Sequence, residues 1–414
     1  MLFRSLNFLE FFVWGSWLIT IGAYWFQNKH WSGAEFGAIF STMGIASIFM
    51  PAIAGIIADK FINAERLLGI LHLCGAVVLF TLPQTSSPNQ MYWVMLLNMC
   101  FYMPTISMAI TVGYNALKNQ EMDVVKIYPP IRVWGTIGFI VATWVVSLLK
   151  IETSSAQFYV AGIAAAILGV YSFTLPQCPP KLKGLPNKSM IESLGLNAFV
   201  LFKNSKMAMF FIFSMLLGAA LQLTNAYGDT FLHDFATTAA YKDLIAVRYP
   251  AIIISISQIS ETLFILAIPF FLRKFGIKQV MFISMAAWVL RFGLFAYGNP
   301  AEGLWMIILS CIIYGMAFDF FNISGSLFVE TQTDNSIRGS AQGLFMMMTN
   351  GFGAFLGSKI SGIVIDKFYL LPDGSKNWFG IWIAFASYAL VVAILFLIFF
   401  KHKHNREEVA LISH

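Results

Sequence analysis

The sequence predicts an all-α integral membrane protein, with twelve transmembrane helices arranged as two six-helix bundles. Three observations carry the prediction. Of the 414 residues, 58% are hydrophobic and 11% are charged, whereas an ordinary soluble domain is roughly 25% charged. The apolar residues gather into twelve runs, each long enough to cross a bilayer. The longest polar interval divides these runs six and six. Aromatic residues make up 16% of the chain, with 41 Phe alone. A water-soluble fold of this length cannot hide so much apolar surface, which excludes soluble globular, disordered and nucleic-acid-binding classes.

A crossing helix needs about 20 mostly apolar residues. The runs, hereafter spans 1 to 12, are 5–27, 36–58, 67–83, 91–117, 131–149, 157–176, 206–231, 247–272, 278–297, 304–328, 338–365 and 378–400. Their length and their Leu, Ile, Met and Ala content mark helices, because barrel strands would be about 10 residues long and alternating. The first run lacks a small-residue cleavage site and reads as a retained helix.

The polar breaks set the topology. Lys and Arg number 17 in the stretches 1–4, 59–66, 118–130, 177–206, 273–278, 329–338 and 401–414, which share one side. The opposite side holds 6, namely Lys29, Lys150, Lys242, Arg248, Lys367 and Lys376. Basic residues collect in cytoplasmic loops, so both termini are expected in the cytoplasm. The interval 177–205, with Pro179, Pro180, Lys181, Lys183, Pro186 and Lys188, is expected to be a cytoplasmic linker. It joins an N-terminal bundle, 1–176, to a C-terminal bundle, 206–400, and 401–414 forms a cytoplasmic tail. Traces of duplication fit this division. Gly55-Ile-Ile-Ala-Asp59-Lys60 follows span 2 and Leu272-Arg273-Lys274-Phe275-Gly276-Ile277-Lys278 follows span 8. Spans 5 and 11 both open with Ile-Arg, at Ile131-Arg132 and Ile337-Arg338. Duplicated bundles are the plan of transporters that rock about a central site.

An ionisable residue at the bilayer centre costs roughly 2.5–3.5 kcal/mol on insertion scales, which marks each one for function. Glu261 and Asp319 lie about halfway along spans 8 and 10. The competing reading makes each a packing carboxylate paired with Arg291 or Lys359. Gln258 and Glu261 share one helix face at i, i+3. Gln222, Asn225 and Asp229 form a polar stripe on span 7, while Tyr314, Phe318, Asp319 and Asn322 group on span 10. Interhelical hydrogen bonding would also account for the amides. Span 5 opens with Pro129-Pro130, a helix-start signal, and carries Arg132, Thr136 and Phe139 on one face. Arg132 is open to a second reading, as an interfacial Arg reaching lipid phosphate. Glu10, Trp14, Trp17 and Tyr24 on span 1, and Asn98, Tyr102 and Thr105 on span 4, read more simply as packing. For Arg291 and Lys359 a snorkelling or local ion-pair role is favoured. Gly351, Gly353 and Gly357 suit close helix approach or bending.

No Walker A loop, dinucleotide fingerprint, nucleophile elbow or HExxH is present, so an enzyme is the weaker class and no cofactor is implied. The four cysteines fit neither a metal spacing nor a disulfide framework. None of the six histidines is expected beside a carboxylate near a helix midplane, which argues against a metal.

The plan resembles the major facilitator superfamily, with Gly55-x-x-x-Asp59-Lys60 similar to the start of its loop motif. A sharper resemblance, over nearly the whole chain, is to the nucleoside:proton symporter family, the bacterial nucleoside permeases. It rests on Trp14-Gly15-Ser16-Trp17-Leu18, Pro129-Pro130-Ile131-Arg132-Val133-Trp134-Gly135-Thr136-Ile137-Gly138-Phe139, Leu221-Gln222-Leu223-Thr224-Asn225, Ile256-Ser257-Gln258-Ile259-Ser260-Glu261-Thr262-Leu263 and Tyr314-Gly315-Met316-Ala317-Phe318-Asp319-Phe320-Phe321-Asn322-Ile323-Ser324-Gly325. Glu10 departs from the pattern, an acid where the family is expected to carry an amide.

The resemblance implies proton-coupled nucleoside uptake at a central site, by a self-sufficient monomer in the bacterial inner membrane whose partners are nucleoside, proton and lipid. Aromatic faces would meet the base, and amides or acids its ring nitrogens and the ribose hydroxyls. Phe139, Tyr314 and Phe318 offer the first; Gln222, Asn225, Gln258 and Glu261 offer the second; Arg132 and Thr136 close the site. Glu261 and Asp319 are the candidates for proton coupling, because desolvation favours the protonated acid. Spacing alone does not select a nucleoside, since a sugar or other small polar solute would accept much of the same set.

Overall fold

A computed structural model describes residues 1–180, 196–334 and 337–402. The parts of the expected linker at 181–195 and of the expected tail at 403–414 lie outside the described residues. Two compact units divide the chain, Met1–Leu194 and Gly195–His414. Both are helical, and the β feature among the described residues is an isolated bridge, Leu370 to Lys376.

Among the described residues, eight helices are long and apolar enough to cross a membrane. The longest, Pro250–Tyr297, is two crossings: Gly276 adopts φ 78°, ψ 170°, a left-handed value that glycine takes without a Cβ clash. The anticipated loop 273–278 therefore reduces to a turn at one residue. A shorter apolar helix, Ala156–Ser172, and the interrupted segments 2–28 and 338–368 bring the described crossings to twelve. In order, spans 2 to 7 are Gly33–Lys60, Ala64–Thr81, Pro88–Asn119, Val124–Leu148, Ala156–Ser172 and Ser205–Asp234. Spans 8 and 9 meet at Gly276. Spans 10 and 12 are Leu304–Gln332 and Trp378–Phe399.

Local chemistry starts the helices. Ser32 and Glu35 form a capping box at span 2, so two otherwise orphaned amides are bonded. Ser87 caps span 4, and Asn204 caps span 7. Span 5 corrects the expectation that Pro129-Pro130 open it. The helix begins at Val124 and both prolines lie inside it, while Tyr128 just before them is buried against Tyr114 at 4.6 Å between ring centroids. Arg132 thus stands about two turns into the helix. Three spans are interrupted. Span 1 breaks after Gly15 and resumes through a π-helix, Tyr24–Asn28; span 11 carries a π-helix at Met347–Gly353; span 8 starts as two short turns separated at Tyr249 and Ser255. π-turns are frequent where helices do work.

Within the first unit, span 1 packs on spans 5 and 6, span 2 on span 4, and span 3 on spans 4 and 6. Glycines bring span 1 against span 5: a Cβ at Gly15 would fall 2.5 Å from the Phe139 carbonyl, and one at Gly138 would run into that of Phe8. Within the second unit, span 7 packs on spans 11 and 12, and the 256–297 pair packs on spans 10 and 12. A Cβ at Gly353 would meet the Met215 carbonyl at 2.5 Å and one at Gly357 the Ala219 Cα at 2.5 Å. Gly353 and Gly357 therefore allow the close approach expected of them, and Gly351 and Gly353 lie in the π-helix. Outward faces are apolar, as at Leu266 (78% exposed), Val77 and Ile398, which requires lipid rather than water around them. All four cysteines are free.

Candidate functional site

Span 10 organises the polar centre of the second unit. Tyr314 and Phe318, one helical turn apart, stack face to face with centroids 5.8 Å apart and planes 8° apart. A flat aromatic solute needs this kind of surface. Glycine 315 carries no side chain for a reason: a Cβ there would fall 2.6 Å from the Ser260 carbonyl and 2.8 Å from the Glu261 amide. Span 8 is thereby set backbone to backbone on span 10, with Glu261 next to Tyr314. The Ser260 hydroxyl donates to the Ile312 carbonyl and the Ser284 hydroxyl to the Ala317 carbonyl, which fixes spans 8 and 9 on span 10. Tyr314 has Glu261, Asp319 and Arg291 as charged neighbours, and Glu261 and Asp319 act on each other.

Arg291 corrects the snorkelling reading, because it is 1% exposed. Its guanidinium donates to the Ser310 carbonyl, to Ser257 Oγ at 3.3 Å and to Thr224 Oγ1 at 3.4 Å, and lies 4.7 Å from the Tyr314 ring centroid. One side chain ties spans 7, 8, 9 and 10 together. Lys359 is exposed, 5.7 Å from the Phe355 ring.

Gln222 Oε1, Gln258 Oε1 and Asp319 Oδ2 are among the buried side-chain polar atoms that have no hydrogen-bond partner among the described residues. Such groups cost about 1–3 kcal/mol each when left unsatisfied, so a folded protein keeps them for a reason. Asn225 is partly buried one turn from Gln222, while Asp229, further along the stripe, is fully buried 3.5 Å from His233 Nε2. Phe318 and Asn322 also line a small crevice with Leu217, Leu221, Trp288 and Asn350. Gln222, Asn225, Gln258 and Glu261 do not line it.

In the first unit, Arg132 is partly buried and its guanidinium carbon stands 4.0 Å from the Phe11 ring centroid. Phe139 is buried, 6.4 Å from Trp14 in an edge-to-face pair, and Trp14 is 5.6 Å from Tyr102. Thr136 lies one turn from Arg132, partly buried. His72 overturns the expectation for the histidines: at the middle of span 3 and 2% exposed, it meets the fully buried Glu10 at 2.8 Å. No spacing within one span shows a pair that depends on how two helices are turned toward each other. The signal available was Glu10 itself, an acid in an apolar run.

Long apolar helices in two units, holding buried acids, amides and stacked aromatics, have the plan of a membrane transporter. Residues 1–405 match the family model described as Nucleoside H+ symporter, and the chain belongs to that family. It is 52% identical over 407 residues to the xanthosine permease of Escherichia coli, covering 98% of this chain and 97% of that protein. It is 51% identical over 404 residues to the nucleoside permease NupG of the same species, covering 97% and 96%. The crystal structure of NupG superposes with a TM-score of 0.90 over 97% of this chain and 99% of that one. A POT family transporter solved with a thioalcohol-conjugated peptide shares the fold alone, at 14% identity and a TM-score of 0.70.

Proposed function

We propose that this protein takes up nucleosides into a bacterial cell in symport with protons, by alternating access. The observation that carries this reading is the Tyr314–Phe318 stack placed beside Glu261 and Asp319, in a chain of the nucleoside H+ symporter family. Phe318 and Tyr314 hold the base by its face. Gln222, Asn225, Gln258 and Glu261 bond the ring nitrogens and ribose hydroxyls, and Arg132, Thr136 and Phe139 contribute from the N-terminal half. Glu261 and Asp319 are the candidates for proton coupling, with Glu261 the carrier. A neutral solute gains nothing from the membrane potential by itself. One proton crossing about 100 mV contributes roughly 2.3 kcal/mol, enough for about 40-fold accumulation.

The bundles 1–176 and 206–400 are the moving bodies of this mechanism, joined by 177–205. The protein works as a monomer surrounded by lipid in the inner membrane, with both termini and the 401–414 tail in the cytoplasm. Labelled uridine uptake by cells expressing the protein tests the reading. Unlabelled nucleosides should compete, free bases and sugars should not, and a protonophore should abolish accumulation. Competition by sugars instead would transfer the site to another solute.

A further inference from the structure

Glu10 and His72 are a buried hydrogen-bonded pair that the coupling site does not use. Glu10 is 0% and His72 2% exposed. Glu10 Oε2 lies 2.8 Å from His72 Nε2, and Oε1 accepts from the Thr105 hydroxyl at 2.6 Å. The Tyr102 hydroxyl donates to the Glu10 carbonyl at 2.9 Å. Spans 1, 3 and 4 thus converge on one carboxyl group. We propose that the Glu10–His72 pair is a second proton-binding site, in the N-terminal unit, whose occupancy sets how Arg132 is held. The proposal rests on the proton-coupled nucleoside reading above.

The proton count follows from the chemistry of the pair. A carboxylate beside a neutral imidazole carries one negative charge; one further proton from water makes the pair neutral overall, whichever nitrogen bears it. In surroundings this apolar the two states differ strongly in what they do to neighbouring charge. The neighbour that matters is Arg132. It stacks on Phe11, the residue after Glu10, and Arg132 and Glu10 both act on Tyr102 and Tyr128. The unprotonated pair holds the guanidinium against span 1. The protonated pair releases it toward a neutral, hydrogen-bonding solute. The remaining titratable groups around the pair are few. Tyr102 and Cys100 are on span 4, Tyr128 and Arg132 on span 5, and Cys74 on span 3. Tyr171 of span 6 hydrogen-bonds the Leu2 carbonyl, and span 2 carries Glu35, Asp59 and Lys60 at its two ends. Span 1 also has somewhere to move, since its helix stops at Gly15, five residues beyond Glu10, and resumes only at Ile21.

The test is uridine binding to the purified full-length protein by titration calorimetry from pH 5.5 to 8.5, in buffers of different ionisation enthalpy so that protons taken up are counted. Wild type should bind more weakly as pH rises. Glu10→Gln, which keeps an oxygen for Thr105 but holds position 10 uncharged, should bind with a flatter pH profile and take up fewer protons per uridine. His72→Gln should lower the proton count as well, and the double variant should add nothing to either single one. Thr105→Val, which leaves both titrating groups in place, should keep the wild-type count and serves if a charge variant fails to fold. A merely structural pair would weaken binding equally at every pH with the proton count unchanged, and that result overturns the proposal; so does a wild-type count lost in Thr105→Val while both charge variants retain it. Absence of uridine binding by wild type would instead refute the nucleoside reading itself.

Discussion

Phe318 carries the most direct expectation of any single residue. It stacks on Tyr314 and lines the crevice of span 10, and stacking one base on an aromatic side chain is worth about 1–3 kcal/mol. Phe318→Ala should therefore weaken nucleoside binding about 5- to 150-fold, measured by calorimetry on purified protein. The two acids beside it separate by function. Glu261→Gln keeps the shape and an acceptor but cannot titrate. It should still exchange labelled nucleoside across a vesicle membrane while losing uphill uptake. Asp319→Asn should impair stability more than coupling; the opposite pattern would move the proton to Asp319. Both acids were legible in the sequence because each interrupts an apolar run near its middle. Arg291 and His72 were not. Arg291 sits in an equally apolar run, but its partners Thr224, Ser257 and Ser310 come from three other spans. His72 owes its role to Glu10, 62 positions away. Residue type announces a buried charge, whereas helix rotation decides what it meets.

Among the elements, the contact of spans 8 and 10 is the most constrained. Gly315 leaves no room for a methyl group, since its nearest neighbours are Ser260 and Glu261 backbone atoms that cannot swing aside as a side chain can. Gly315→Val should cost about 1–3 kcal/mol by overpacking, read as a lower melting temperature in detergent, and should also displace Glu261 from Tyr314. The sequence placed the centres of these spans well and their ends less well. Span 5 extends to Val124, through prolines that usually mark a start, because the residues before them are helical and Tyr128 is packed. The turn between spans 8 and 9 needs only Gly276, where the basic run 273–278 suggested a longer loop. The π-turns in spans 1 and 11 carry no hydropathy signal, since a π-turn is as apolar as an α-turn.

For the molecule as a whole, the chain divides into two compact units, while the bounds 1–176 and 206–400 remain the expectation drawn from the long polar interval and the traces of duplication. Orientation in the membrane remains a matter of the 17 to 6 distribution of basic residues, and it is directly testable. A reporter active only in the cytoplasm should work when fused after His414 or inserted within 181–188, and should be silent near Pro88 or Asn299. Activity at either of the last two sites would break the twelve-span topology. The central claim is the coupling of nucleoside to proton. Its most direct measurement is labelled uridine accumulation by the purified protein in sealed liposomes, with an inward proton gradient as the only source of energy. Uridine should accumulate above its external concentration, and a protonophore should return it to equilibrium. Uridine that enters only to equilibrium, or an accumulation that a protonophore leaves intact, would contradict the account.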